Sequence, residues 1–122
     1  MKLVIMKLHL QILEIIKECK LSKPLGMETL IVDDGWQTDD NSRGYAYCGD
    51  WKVAESKIPH MKEFVAKVHD TGMNFVLWYS VPFVGIHCEN YNRFKDKLLE
   101  GTGNGKTYWA VDPRYKDVRD FL

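Results

Sequence analysis

Two adjacent carboxylates, Asp33 and Asp34, stand in the run Thr29-Leu30-Ile31-Val32-Asp33-Asp34-Gly35-Trp36, where an apolar, β-branched stretch gives way to a glycine. Burying a carboxylate without partners costs on the order of several kcal/mol, so the pair must face either water or a ligand rich in hydroxyls. The neighbouring Trp36 favours the ligand. Indole covers the C–H face of a pyranose while carboxylates accept hydrogen bonds from its hydroxyls. The competing reading is a turn opened by two acids after a strand.

Other chemistries find less support. Asp33, Asp34, Asp39 and Asp40 offer clustered oxygens of the kind that hold Mg²⁺ or Ca²⁺, but their spacing suits such a site poorly. Cys19, Cys48 and Cys88 are odd in number, far apart and outside any Cys-x-x-Cys pair, and His9, His60, His69 and His87 show no ligand spacing with them. The thiols read as reduced residues in or near a core, and no metal or cofactor is expected.

Lys plus Arg and Asp plus Glu number 17 each, a formal net charge of zero, so neither a phosphate backbone nor an anionic membrane has an electrostatic hold. Nucleic acid and membrane are therefore not expected partners. The most apolar stretch, Met73 to Ile86, is shorter than a bilayer span and is broken by Asn74, Ser80, Pro82 and Gly85. At the amino terminus Lys7 interrupts the apolar run and no small-residue cleavage site follows, which points to a cytoplasmic product.

The elements that must position the acids follow from periodicity. Ile12, Ile15, Ile16 and Cys19 recur at i, i+3, i+4, i+7, which predicts an amphipathic helix from about Leu10 to Lys20, ending before Pro24 and Gly26. Thr29 to Val32 reads as a strand. The polar stretch Gln37 to Lys57 is too long for an ordinary connection, and Tyr45, Tyr47 and Trp51 within it argue for an ordered site loop. Met61, Phe64, Val65 and Val68 restore helical spacing, with Pro59 near the start and Gly72 placed for a left-handed C-terminal cap.

A second strand is predicted over Asn74 to Tyr79, followed by a break at Ser80-Val81-Pro82, a helix-compatible stretch carrying Tyr91, Phe94, Leu98 and Leu99, and a flexible turn from Gly101 to Gly105. Tyr108 to Val111 reads as a third strand. Asp112 then serves as N-cap and Pro113 as first residue of a helix whose face carries Tyr115, Val118 and Leu122.

This alternation specifies an α/β fold, about three parallel strands with crossover helices. In such folds ligand-binding residues project from the carboxyl ends of strands, where Asp33-Asp34, Trp78 and Asp112 all fall. Three strands leave exposed edges, so the stretch reads as one partial domain: an unassigned leader over residues 1–9, βα units over 10–122, and the site loop 37–57. Edge pairing with a second copy is left open.

At these residues the chain is similar to glycoside hydrolase family 36, the bacterial α-galactosidases or melibiases, whose catalytic domain is a (β/α)8 barrel. The resemblance covers about Leu10 to Leu122. It rests on Leu30-Ile31-Val32-Asp33-Asp34-Gly35-Trp36-Gln37, Gly49-Asp50-Trp51, Lys57-Ile58-Pro59, Gly72-Met73-Asn74-Phe75-Val76-Leu77-Trp78, and Val111-Asp112-Pro113 running into Val118-Arg119-Asp120. Each run is weak alone; their order and spacing are specific. Gly35 stands where eukaryotic-type relatives carry a cysteine, which fits the bacterial branch.

The resemblance implies that Asp33 and Asp34 accept hydrogen bonds from the 4- and 6-hydroxyls of galactose. It also implies that Trp78 lines the galactose pocket and that Trp36, Asp50 and Trp51 hold loop positions around it. For Trp78 a barrel-core role is open as well, for Trp36 a packing role, for Trp51 a loop-anchoring role, and for Asp50 a role in holding the loop backbone. The expected ligand is an α-galactoside oligosaccharide of the melibiose or raffinose type. The family mechanism is retaining, with two carboxyl groups roughly 5 Å apart. Its nucleophile belongs to a Lys-Trp-Asp-like motif beyond the Val-Arg-Asp helix, so no catalytic residue is assigned in this chain and the isolated chain is expected to be inactive.

Departures from the family pattern are also legible. Met1 to His9 lacks the family's first barrel strand and its Trp, Gly105-Lys106-Thr107-Tyr108 stands where many members carry an Arg, and Ser80 to Gly85 replaces a more acidic run. Two further functions remain open at this stage: a non-catalytic galactoside-binding module, and a galactosyl-transferring relative of raffinose synthase.

Overall fold

The computed structural model describes residues 2–6, 12–40, 45–102, 105 and 107–122. The chain divides into two compact units, one of Met1–Asn41 with Val53–Trp78 and one of Ser42–Lys52 with Tyr79–Leu122.

The first unit is built on a parallel sheet of three strands, β1 (Leu3–Met6), β2 (Thr29–Val32) and β3 (Asn74–Leu77), in the order β1-β2-β3. Register is continuous, with Ile5 opposite Ile31 and Ile31 opposite Val76. Helix α1 (Ile12–Ser22) follows β1, and helix α2 (Met61–Asp70) precedes β3.

The helices cover one face of this sheet. Leu30 and Val32 are fully buried, Phe64 of α2 meets Phe75 of β3 edge to face at 5.5 Å, and Ile15 and Cys19 of α1 are buried completely. The period of α1 is the cause: Ile12, Ile15, Ile16 and Cys19 fall on one stripe, while its lysines and glutamates, with Leu13 and Leu21, lie on the exposed side. The opposite sheet row is open, with Ile5 63% and Val76 44% exposed. Such a row is what the inward face of a barrel strand carries before neighbouring strands close over it.

The predicted first helix ends at Ser22 rather than Lys20, and its expected start at Leu10 lies outside the described residues. Gly72 follows the C-cap of α2 at φ 80° as expected, its N–H donating to the His69 carbonyl at 2.8 Å. β1 is a departure. Leu3–Met6, read from sequence as part of a leader, pairs with all four residues of β2.

The second unit contains a two-stranded antiparallel sheet of β4 (Phe83–Gly85) and β5 (Tyr108–Ala110), helix α3 (Glu89–Phe94) and helix α4 (Lys116–Phe121). Val84, Cys88, Phe94, Val111 and Val118 form its core, with Tyr91, Leu98 and Phe121 packed against them. The segment around Tyr45 and Cys48 docks on β4. Gly85 N–H donates to the Cys48 carbonyl at 2.8 Å, and a Cβ on Gly85 would lie 2.2 Å from the backbone of Ala46. Only glycine permits that approach.

Three sequence expectations are corrected here. The strand predicted at Tyr108 to Val111 exists as β5, but it joins an antiparallel pair with a strand hidden behind Pro82, and β1 supplies the third parallel strand instead. The stretch carrying Tyr91 to Leu99 is helical only to Phe94, and Leu98 forms a bridge to Val111. Asp112 is not the N-cap of α4, a position taken by Tyr115. Instead Asp112 is 2% exposed and accepts from the Arg114 backbone N–H at 2.9 Å and from its guanidinium at 2.6 Å, a local Asx turn that competes with capping.

Candidate functional site

The acidic pair sits where β2 ends. Val32 is buried and opposite Leu77, and the ladder extends one step further because the Trp78 N–H donates to the Val32 carbonyl at 2.9 Å. Trp78 is thereby held beside the exit of β2, next in register to Asp33. Both acids are half-buried.

Gly35, at φ 107°, turns the chain immediately after the acids, a backbone state that side chains resist. The Gln37 side chain then bridges the turn. Its Nε2 donates to Asp34 Oδ1 at 2.8 Å while its Oε1 accepts from the Gly35 N–H at 3.1 Å. Asp34 therefore has one oxygen oriented by the protein, and the Asp33 carboxylate takes no hydrogen bond from any other described residue. Acceptor capacity on two half-buried carboxylates is left for a ligand or water.

Trp36 is 1% exposed, so its ring is core rather than an open platform for a sugar. Its indole N–H donates to the Trp78 carbonyl at 2.9 Å, and its own carbonyl accepts from the Ala54 N–H at 2.9 Å. Trp78 is half-buried and keeps an accessible side. Asp39 accepts from the Ser56 hydroxyl, and no group of three His, Cys, Asp or Glu side chains able to hold a metal occurs among the described residues.

In the second unit Asp50 has both oxygens occupied. Oδ2 accepts from the Glu89 N–H at 2.7 Å, and Oδ1 accepts from the Asn90 backbone N–H at 3.1 Å and its amide at 3.0 Å. These bonds tie the loop to the start of α3. Trp51, at φ 52°, meets Tyr79 edge to face at 5.0 Å, and the two rings with Val81, Pro82, Phe83 and Phe121 wall a hollow of about 210 Å³.

Cys19, Cys48 and Cys88 are all buried. Burial pushes the thiols of Cys19 and Cys88 up, with the carboxylates of Glu18 and Asp50 adding in the same direction. Such thiols are poor nucleophiles. No described helix is long and apolar enough to cross a membrane.

Sequence reasoning missed two residues that shape the turn, Gln37 and Lys57. Lys57 Nζ donates to the Gly35 carbonyl at 3.0 Å and to the Asp40 carbonyl at 3.5 Å. Both residues stand within the quoted family runs, but a contact between positions 35 and 57 has no local signature.

The chain is 32% identical over 107 residues to the α-galactosidase Mel36A of Lactobacillus acidophilus, covering 81% of this chain and 14% of that protein. It is 29% identical over 114 residues to the bifunctional α-galactosidase/sucrose kinase AgaSK of Mediterraneibacter gnavus, covering 87% of this chain and 12% of that one. The chain thus spans about one seventh or less of the length of these curated relatives. Among solved structures, an α-galactosidase of Lactobacillus brevis matches with a TM-score of 0.75 and 26% identity over 97% of this chain and 17% of its own. A family 36 α-galactosidase of Geobacillus stearothermophilus, solved with raffinose, shares the fold with a TM-score of 0.78 at 24% identity over 97% of this chain and 18% of its own. The three parallel strands and their helices are accordingly a piece of the (β/α)8 barrel architecture of these enzymes. The Melibiase family profile matches residues 9–121, and the chain belongs to that family.

Proposed function

We propose that this chain is the galactose-gripping part of an α-galactosidase, with Asp33 and Asp34 accepting from the 4- and 6-hydroxyls of a terminal α-galactosyl residue and Trp78 lining the sugar. The observation that carries this reading is the pair of half-buried carboxylates with unspent acceptor capacity at the carboxyl end of β2, set beside Trp78 by the Val32 to Trp78 hydrogen bond of 2.9 Å. Galactose presents an axial 4-hydroxyl where glucose presents an equatorial one. A site that pairs with the axial group leaves a buried acceptor unsatisfied when glucose enters, which discriminates more strongly than a lost apolar contact.

The names of the relatives support the substrate class, as do solved relatives holding raffinose and stachyose. Trp51 enters the reading as an aromatic surface, and Trp36 and Asp50 as residues that hold loops. No residue of this chain is assigned here to the family's nucleophile or acid/base. The reading also keeps a cytoplasmic setting, which the buried cysteines Cys19 and Cys88 suit.

The test is a tryptophan-fluorescence titration of the chain with galactose and with glucose. Saturable, salt-insensitive quenching by galactose alone is expected. Equal responses to both sugars, or none to either, would overturn the reading.

A further inference from the structure

The ammonium group of Lys57 is spent in an unusual way. Lysine side chains at a protein surface normally extend into water or pair with a carboxylate. Lys57 is half-buried, forms no ion pair with any described residue, and directs its Nζ to two backbone carbonyls, Gly35 at 3.0 Å and Asp40 at 3.5 Å. Those carbonyls lie at the two ends of the turn that follows the acidic pair.

The base of the lysine is fixed as firmly as its tip. Lys57 N–H donates to the Ala54 carbonyl at 2.9 Å, Ile58 N–H to the same carbonyl at 3.0 Å, and Ile58 is fully buried. Ala54 N–H in turn donates to the Trp36 carbonyl at 2.9 Å. The turn at residues 54–58 therefore grips the turn at residues 35–40 at three points, one backbone bond and two from the ammonium. The bond to Gly35 is charge-assisted and the stronger of the two; the Asp40 contact, at 3.5 Å, is the weaker.

We propose that Lys57 is the positioning residue of the sugar-gripping turn: its ammonium clamps Gly35 and Asp40 and so fixes the backbone that aims Asp33 and Asp34. The assignment rests on the galactose reading for its functional half and on geometry alone for its structural half. Lys57 touches no sugar; it acts through the Gly35–Asp40 backbone. Small displacements of such a frame are costly, because a misplacement of about 1 Å of an oriented group can cost a catalysed reaction roughly a hundredfold in rate.

Two readouts on the chain separate the halves. Hydrogen exchange of the peptide over residues 33–40, measured in the wild type, Lys57→Met and Lys57→Arg, reports the clamp without any sugar. Calorimetric titration with galactose reports its consequence. In Lys57→Met, amide exchange over 33–40 accelerates at least about tenfold while exchange in β3 is unchanged, and galactose affinity falls about tenfold or more; Lys57→Arg restores most of both. Should Lys57→Met lose its fold, Lys57→Gln, too short to reach both carbonyls, carries the same test. Unchanged exchange over 33–40 would overturn the clamp, and unchanged galactose affinity with accelerated exchange would overturn the positioning role. If the wild type binds no galactose while the exchange result holds, the galactose reading falls and the clamp stands.

Discussion

The indole N–H of Trp36 donates to the carbonyl of Trp78 at 2.9 Å, joining the residue that follows the acidic turn to the residue that follows β3. With the Trp78 N–H bonded to Val32, the Trp78 peptide is held on both sides by the strand and turn that carry Asp33 and Asp34. Loss of the indole donor should loosen that frame without emptying the core. Trp36→Phe is expected to destabilise the chain by about 1 to 2 kcal/mol, from the lost hydrogen bond and a smaller ring, and Trp36→Ala by about 3 to 5 kcal/mol. Urea unfolding followed by far-UV circular dichroism measures both, and a Trp36→Phe variant as stable as the wild type would contradict the role.

Asp112 gives the chain an acid-sensitive contact. The Arg114 side chain and backbone N–H hold its carboxyl below the usual carboxylate range, and Lys97 does the same for Asp117. A carboxyl whose folded value lies below its unfolded value of about 3.9 contributes stability that is complete above about pH 5 and is lost as pH falls through the folded value. The melting temperature should therefore fall between about pH 5 and about pH 3 more steeply in the wild type than in Asp112→Asn. Parallel curves for the two proteins over that range would rule the contact out as a source of acid sensitivity.

Ser80 makes the opposite prediction. Its hydroxyl is the one buried side-chain oxygen or nitrogen without a hydrogen-bond partner among the described residues, and Ser80 is 7% exposed. Removing an unsatisfied buried hydroxyl relieves a desolvation cost of about 1 to 3 kcal/mol, so Ser80→Ala should leave stability unchanged or raise it. A loss of more than about 1 kcal/mol on thermal or urea unfolding would mean that the hydroxyl has a partner.

Much of the first unit was legible in the sequence because its signals are local. The β-branched run of β2, the helical spacing of Met61 to Val68 and the glycine after α2 each state their structure within a few residues, and the acids at the end of β2 follow from them. What was hidden depends on long-range pairing. Leu3–Met6 is an apolar run of four that becomes a strand only by lying beside Thr29–Val32, and Phe83–Gly85 becomes one only opposite Tyr108–Ala110. Asp112 followed a different logic: capping and Asx-turn chemistry use the same residue type, and the arginine two positions on decides between them. The contacts of Asp50 and Lys57 were silent for the same physical reason as the strands. Their partners, Asn90 and Gly35, lie 40 and 22 residues away.

The account stands most directly on one measurement, isothermal titration of galactose and glucose into the wild-type chain, Asp33→Asn and Asp34→Asn. Asp33 takes no hydrogen bond from other described residues, so Asp33→Asn should keep stability within about 0.5 kcal/mol while losing an acceptor the sugar needs. The account predicts galactose binding in the wild type, no comparable glucose heat, and affinity weakened about tenfold or more in each folded variant. Galactose binding that survives both substitutions at wild-type strength, or a wild type indifferent to the 4-hydroxyl, would contradict it.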